Sequence, residues 1–121
     1  MTTGLRSLAA EPFCYLTTTG RVTGRPHNIE IWFALNGRTL HMLSGNGPHH
    51  RSDWVRNLVR TPDVSVRIRD QEISGTARIV KDAAEDALAR RLLFEKYAPT
   101  YAGDLTEWRE SALPVAVDLV A

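Results

Sequence analysis

From Asn28 to Leu35 the chain alternates with a period of two: Ile29, Ile31, Phe33 and Leu35 fall on one face, Asn28, Glu30, Trp32 and Ala34 on the other. That spacing fits a half-buried strand and no helix. Asn36 and Gly37 follow at once, both residues tolerate positive φ, and "RTLHMLS" then returns, so the segment is expected to form one arm of a β-hairpin. The same period recurs along the chain. "FCYLTTT" from Phe13 to Thr19 opens the series, and Val64, Val66 and Ile68 alternate with Ser65, Arg67 and Arg69. After a tight reversal near Asp70 and Gln71, Ile73, Gly75, Ala77 and Ile79 alternate with Glu72, Ser74, Thr76 and Arg78. "LPVAVDLV" closes it with Val115, Val117 and Leu119 inward, which makes six strands.

Two helices interrupt the strands. "SDWVRNLVR" offers Ser52 as N-cap, sets Trp54 and Leu58 on a shared face with Val55 and Val59 beside them, and is stopped by Pro62. "DAAEDALARRLLFEKYA" opens on Asp82 and Glu85 as a capping box, carries Ala84, Leu88 and Leu92 as a stripe, and ends before Pro99. Residues Pro99 to Glu110 show no clear period. Six short, mostly antiparallel strands buried on one side cannot lie open, so closure into a small barrel or packing of two sheets is expected. The fold class is therefore mainly β with helices (α+β). With 121 residues, 43% of them hydrophobic, residues 1–121 are expected to form a single domain.

The formal charge of +1 gives no global field for nucleic acid or a membrane surface, so any anion preference must be local. Cys14 is the only cysteine, which leaves no internal disulfide, suits a reducing cytoplasm, and reads as a small buried hydrophobe. His27, His41, His49 and His50 lack the spacing of a metal site, and no metal is expected. No stretch approaches the length of a membrane span and no export signal opens the chain, so a cytoplasmic protein is expected.

Two glycine-rich loops supply the local anion chemistry. In "TTTGRVTGRPHN", Gly20 and Gly24 alternate with Arg21 and Arg25, either as a solvated turn or as an amide cradle with two guanidinium forks. "LSGNGPHHRSDW" runs from a strand into a helix N-terminus, where Asn57 and Arg56 reach either the same anion or solvent. No P-loop, nucleophile elbow, paired carboxylates or activated cysteine is present. Tyr97, Tyr101 and Trp108 line a pocket for a flat ligand or simply pack. A barrel with anion-friendly loops and no autonomous catalytic group suits a protein whose cofactor carries the chemistry.

"LTTTGRVTGRP", "LNGRTLHMLSGNG", "SDWVRNLVRTPDVSV" and the closing "LPVAVDLV", in that order and from about Phe13 onward, resemble the deazaflavin-dependent nitroreductase family of flavin/deazaflavin oxidoreductases. The resemblance implies a six-stranded split β-barrel, related to the pyridoxamine-phosphate-oxidase-like flavoproteins, with two to three flanking helices. It implies coenzyme F420, a deazaflavin with a phosphate and a polyglutamate tail, with FMN as the alternative. Hydride would pass to a small electron-poor acceptor such as a quinone, a nitro compound or an activated enone. A flavin, haem or lipid carrier without turnover is the other reading.

By the same resemblance Arg21, Gly24, Arg25 and Pro26 would hold phosphate or tail carboxylates. Asn28, Ile29 and Glu30 would run beside the ring, Ser44, Gly45, Asn46 and Gly47 would cover it, and Trp54 and Asn57 would complete the site. Tyr97 and Tyr101 are the expected substrate contacts. A homodimer through the barrel wall is one expectation, with Trp32 as an exposed anchor. Two departures stand out. Gly45 follows Ser44 where relatives often carry a basic or bulkier residue, and Glu30 is an odd neighbour for an anion, pointing either into the wall or at a substrate group. The chain is also short ahead of Phe13, which would remove a helix or tail that helps close the pocket in some relatives.

Overall fold

The strand read from Asn28 to Leu35 breaks after Ile31. The computed structural model describes residues 2–45 and 52–120. In chain order they form α1 (Thr2–Leu8), β1 (Cys14–Thr19), β2 (Pro26–Ile31), β3 (Ala34–Asn36), β4 (Thr39–Ser44), α2 (Asp53–Arg60), β5 (Asp63–Ile68), β6 (Gln71–Ile79), α3 (Ala83–Tyr97), α4 (Thr106–Ser111) and β7 (Leu113–Leu119). The strands build one sheet in the order β2-β1-β5-β6-β7-β4-β3, and every pairing is antiparallel. Seven strands and four helices thus replace the expected six and two to three, within the expected α+β class.

β2 and β3 are the two edges of this sheet, yet only Trp32 and Phe33 separate them in the chain. Three residue steps span at most about 10 Å. The sheet must therefore curl until its edges nearly meet, and the two-residue crossing is its seam. Seam residues have no ladder partner, so their buried backbone groups need others. The end of α3 provides them. Phe33 N–H donates to the Tyr97 hydroxyl at 3.0 Å, and the Phe33 carbonyl accepts from Lys96 Nζ at 2.9 Å. The Tyr97 hydroxyl in turn lies 2.8 Å from the Pro12 carbonyl, stitching the entry to β1 as well.

Inside the curl, Leu16, Leu40, Met42, Val66, Ile68, Val115 and Val117 are fully buried, with Phe33, Leu8 of α1 and Val55 and Leu58 of α2 closing the ends. Each such side chain contributes about 1.5–3 kcal/mol through burial. A second cluster holds Ala34, Leu43, Leu93 and Tyr97 under α3. α3 buries Ala89, Leu93 and Tyr97, not the expected stripe of Ala84, Leu88 and Leu92. The helix is turned by one residue because Tyr97 serves the seam while Glu85, two turns before Leu93 on the same stripe, meets His41 of β4 at 2.9 Å. Only half of the capping box forms: Asp82 accepts from Glu85 N–H at 2.9 Å, but the Glu85 carboxylate binds His41 and Arg78. On α2, Val59 is exposed, a second correction to the expected faces. At the β3–β4 turn only Gly37, not Asn36, takes positive φ.

Candidate functional site

The β1–β2 hairpin owes its glycines to geometry. Gly24 sits at φ 74°, where a Cβ is strained, and a Cβ on Gly20 would lie 2.7 Å from His27 Nε2. Gly20 N–H donates to the Arg25 carbonyl at 2.8 Å and Gly24 N–H to the Gly20 carbonyl at 2.9 Å, closing the turn on itself. Its two arginines have different fates. Arg21 docks on α2: its backbone N–H and its Nη1 both donate to Asn57 Oδ1, at 3.1 and 3.0 Å, and its Nη2 meets Asp53 Oδ1 at 3.1 Å. Asn57 is 2% exposed and donates from Nδ2 to Thr18 Oγ1 at 3.2 Å. Asn57 is thus a bracket between hairpin, β1 and α2. Arg25 is exposed, and its guanidinium has no partner among the described residues.

Beyond the hairpin, Pro26, Asn28 and Glu30 point out of the barrel while Ile29 packs toward the core. Asn28 Nδ2 donates to Thr17 Oγ1 at 2.9 Å, and the Tyr15 hydroxyl donates to Glu30 Oε1 at 3.2 Å. Arg67 lies 4.4 Å above the Tyr15 ring. At the hairpin end this outer wall forms a cleft of about 480 Å³ whose lining includes Gly24, Pro26, the hydroxyl residues Thr17, Thr19, Ser65 and Thr76, and one carboxylate, Asp63.

At the other end of β2 the wall turns aromatic. Trp32 stacks on Tyr97 with ring centroids 4.2 Å apart and planes 4° from parallel, and meets Tyr101 and Trp108 edge-on at 5.6 Å each. Trp32 is therefore half-buried in a cluster, a correction to its reading as an exposed dimer anchor. Two clefts share Trp32 and Trp108. One, of about 240 Å³, is completed by Glu30, Ile31 and Leu43; the other, of about 400 Å³, by Gly45, Tyr101, Asp104, Leu105, Glu107 and Ser111.

Of the expected substrate tyrosines, Tyr101 lines the larger cleft, whereas Tyr97 is buried behind Trp32 with its hydroxyl spent on the seam. Burial pushes the Tyr97 phenol up to about 12. Ser44 is buried at the end of β4, its Oγ 3.0 Å from Ser52 Oγ, so Ser52 ties strand to helix and makes no side-chain cap. Trp54 packs on the main core. Asn46 and Gly47, like His49 and His50, lie outside the described residues. Burial lifts the Cys14 thiol to about 12, which fits its reading as a hydrophobe. Among the described residues no helix is long and apolar enough to cross a membrane.

A family model described as F420H(2)-dependent quinone reductase matches residues 2–120. The chain belongs to that family. The reductase is accordingly an oxidoreductase whose cofactor is coenzyme F420. Solved structures share its split-barrel fold. An F420-H2-dependent reductase, FDR-A, is 21% identical over 88% of this chain and 93% of its own, with a TM-score of 0.71. Rv2991, a conserved hypothetical protein from Mycobacterium tuberculosis, is 20% identical over 100% of this chain and 80% of its own, at a TM-score of 0.75. A protein described as a domain-swapped dimer is 21% identical over 95% of this chain and 93% of its own, at 0.71.

The residues present fit such a cofactor. A phosphate and tail carboxylates need cationic and hydroxyl donors that are not already neutralised, and a flat ring needs an apolar wall. Arg25, set between the lining residues Gly24 and Pro26, and the cleft's threonines answer the first need at one end of β2, with Asp63 the one carboxylate of that lining, and Ile31, Trp32, Leu43 and Trp108 answer the second at the other. The six residues of β2 set these ends about 17 Å apart. Sequence reasoning passed over Trp32, Ile31 and Leu43 as walls, because the period of two carried Trp32 straight through the seam as if it were surface.

Proposed function

We propose that the reductase passes a hydride from reduced F420 to an electron-poor small molecule of the quinone, nitro or activated-enone type, taken up at the aromatic seam. The observation that carries this reading is the pair of clefts walled by Trp32 and Trp108 at the end of β2, the strand just preceded by Arg25, whose guanidinium has no partner among the described residues. When bound, reduced F420 supplies the hydride. Arg25 and the outer-wall hydroxyls hold the acidic part, while Arg21 and Asn57 act on it indirectly by fixing the hairpin on α2. Trp32 and Trp108 orient a planar acceptor and exclude water. Tyr97 is not the proton source, since its hydroxyl is buried and bonded at the seam. The proton comes from water or from the exposed Tyr101 hydroxyl. The open edge of β2 and the dimeric neighbour support a homodimer, which light scattering reads directly.

The test is oxidation of reduced F420 by a panel of quinones, nitroaromatics and enones, followed by absorbance. Turnover with at least one class is expected, and Arg25→Gln should weaken F420 binding about fivefold while flattening its salt dependence. Silence across the panel by protein that binds F420 overturns the reading.

A further inference from the structure

The seam clefts carry a sign of charge as well as a shape. Their described lining includes three carboxylates, Glu30 on the smaller cleft and Asp104 and Glu107 on the larger, and no Lys, Arg or His. Among the described residues, the cations of neighbouring elements are engaged elsewhere. Arg109 lies 4.7 Å above the Phe94 ring, Arg90 bonds Asp86 and the Arg109 carbonyl, and Lys96 sits over Phe33 behind Tyr97. Arg67 lies over the ring of Tyr15, whose hydroxyl donates to Glu30. Asp104 is fixed in place, with Oδ1 accepting from Thr106 N–H at 2.9 Å and from Thr106 Oγ1 at 2.7 Å. Those bonds hold its carboxyl below the usual carboxylate range. Glu107 is exposed, and its carboxylate has no partner among the described residues. The aromatic walls add to the same field, because ring faces are electron-rich and attract positive charge.

We propose that this cleft selects its acceptor by charge: planar cationic or uncharged electron-poor molecules are taken, anionic ones are rejected, and Asp104 and Glu107 are the specificity-determining residues. The inference rests on the seam being the acceptor site. It also gives the two ends of β2 complementary tasks, since a field that repels anions at the seam keeps an acidic cofactor tail at the hairpin.

The test uses three naphthoquinones with one ring system, carrying a trimethylammonium group, no charge or a sulfonate. Binding to the protein without cofactor is read by quenching of tryptophan fluorescence, with Trp54 on the main core as background. Turnover of the same three is read with reduced F420. The cationic form should bind about tenfold more tightly than the sulfonate, with the neutral one between. The ratio should fall below about twofold in Asp104→Asn/Glu107→Gln and shrink in high salt. Asn keeps an acceptor oxygen for Thr106, and Glu107→Gln alone should remove part of the ratio should the double variant fold poorly. Equal quenching by all three, a ratio that survives both variants, or no quenching by any of them overturns the inference. Charge-ranked quenching without turnover would instead sink the seam as the acceptor site and leave the charge selection of its cleft intact.

Discussion

The two ends of β2 solve the same problem by opposite means. At the hairpin the chain leaves the ladder between β1 and β2 and satisfies itself, with glycine amides bonding carbonyls of the same turn and polar groups of α2 fixing its position. At the seam it leaves the ladder between the sheet's two edges and relies on a distant helix, with α3 side chains taking the orphan backbone groups and stacking under the wall. The hairpin is cationic and wet; the seam is aromatic and acidic. A self-contained turn can present a free side chain such as Arg25 at little cost in fold stability, whereas the seam's binding surface and the closure of the barrel rest on the same residue, Tyr97.

That contrast breaks most visibly at Tyr97. Tyr97→Ala removes the seam hydroxyl, the stack under Trp32 and a buried ring together, and should cost about 3–5 kcal/mol by chemical denaturation. Tyr97→Phe keeps the ring and loses only the hydrogen bonds, about 1–3 kcal/mol, because Phe33 N–H is left buried without a partner. Should Tyr97→Phe be as damaging as Tyr97→Ala, the stack matters less than the stitching. The hairpin bracket comes next. Asn57→Ala should cost about 2 kcal/mol, since the Arg21 backbone N–H and the Thr18 hydroxyl lose their partner and Arg21 keeps only Asp53, and it should weaken F420 binding without touching acceptor binding at the seam. Equal damage to both ligands would show that the two ends are not separable.

Much of the fold was legible because strands with one buried face announce themselves by a period of two. The seam was not. A break of two residues between Ile31 and Ala34 leaves the alternation almost in phase, so the sequence carries no local mark that the chain has crossed from one sheet edge to the other. The face of α3 was hidden for a related reason: Glu85 and Tyr97 sit on its buried stripe for polar work, and polar residues do not score as core. At the site, Arg21 and Arg25 read alike in sequence, and only the position of α2 distinguishes the committed one from the one with no side-chain partner among the described residues. The acidity of the larger cleft was beyond reach, because Asp104 and Glu107 join Trp32 only through the packing of α4, a helix in a stretch with no clear period.

The smallest effect tests the seam through its charge. Lys96 donates to the Phe33 carbonyl and lies 3.7 Å above the Phe33 ring, and burial lowers its ammonium to about 8 from an ordinary 10.5. Between those two values the unfolded chain still holds a proton that the folded protein has released, so stability rises with pH across that window and the gain is lost as pH falls through about 8. Cys14 and Tyr97, both raised by burial, act in the opposite direction at the upper end of the window. The clean reading is thus the difference between wild type and Lys96→Met, both carrying Cys14→Ala, because the Lys96 charge lowers the Cys14 thiol and only the Tyr97 contribution is common to the two. That difference should grow in favour of the wild type by on the order of 1 kcal/mol from pH 8 to 10.5, after allowance for solvent screening. A flat difference would mean that Lys96 reaches water in the folded state, leaving the seam carbonyl to Tyr97 alone.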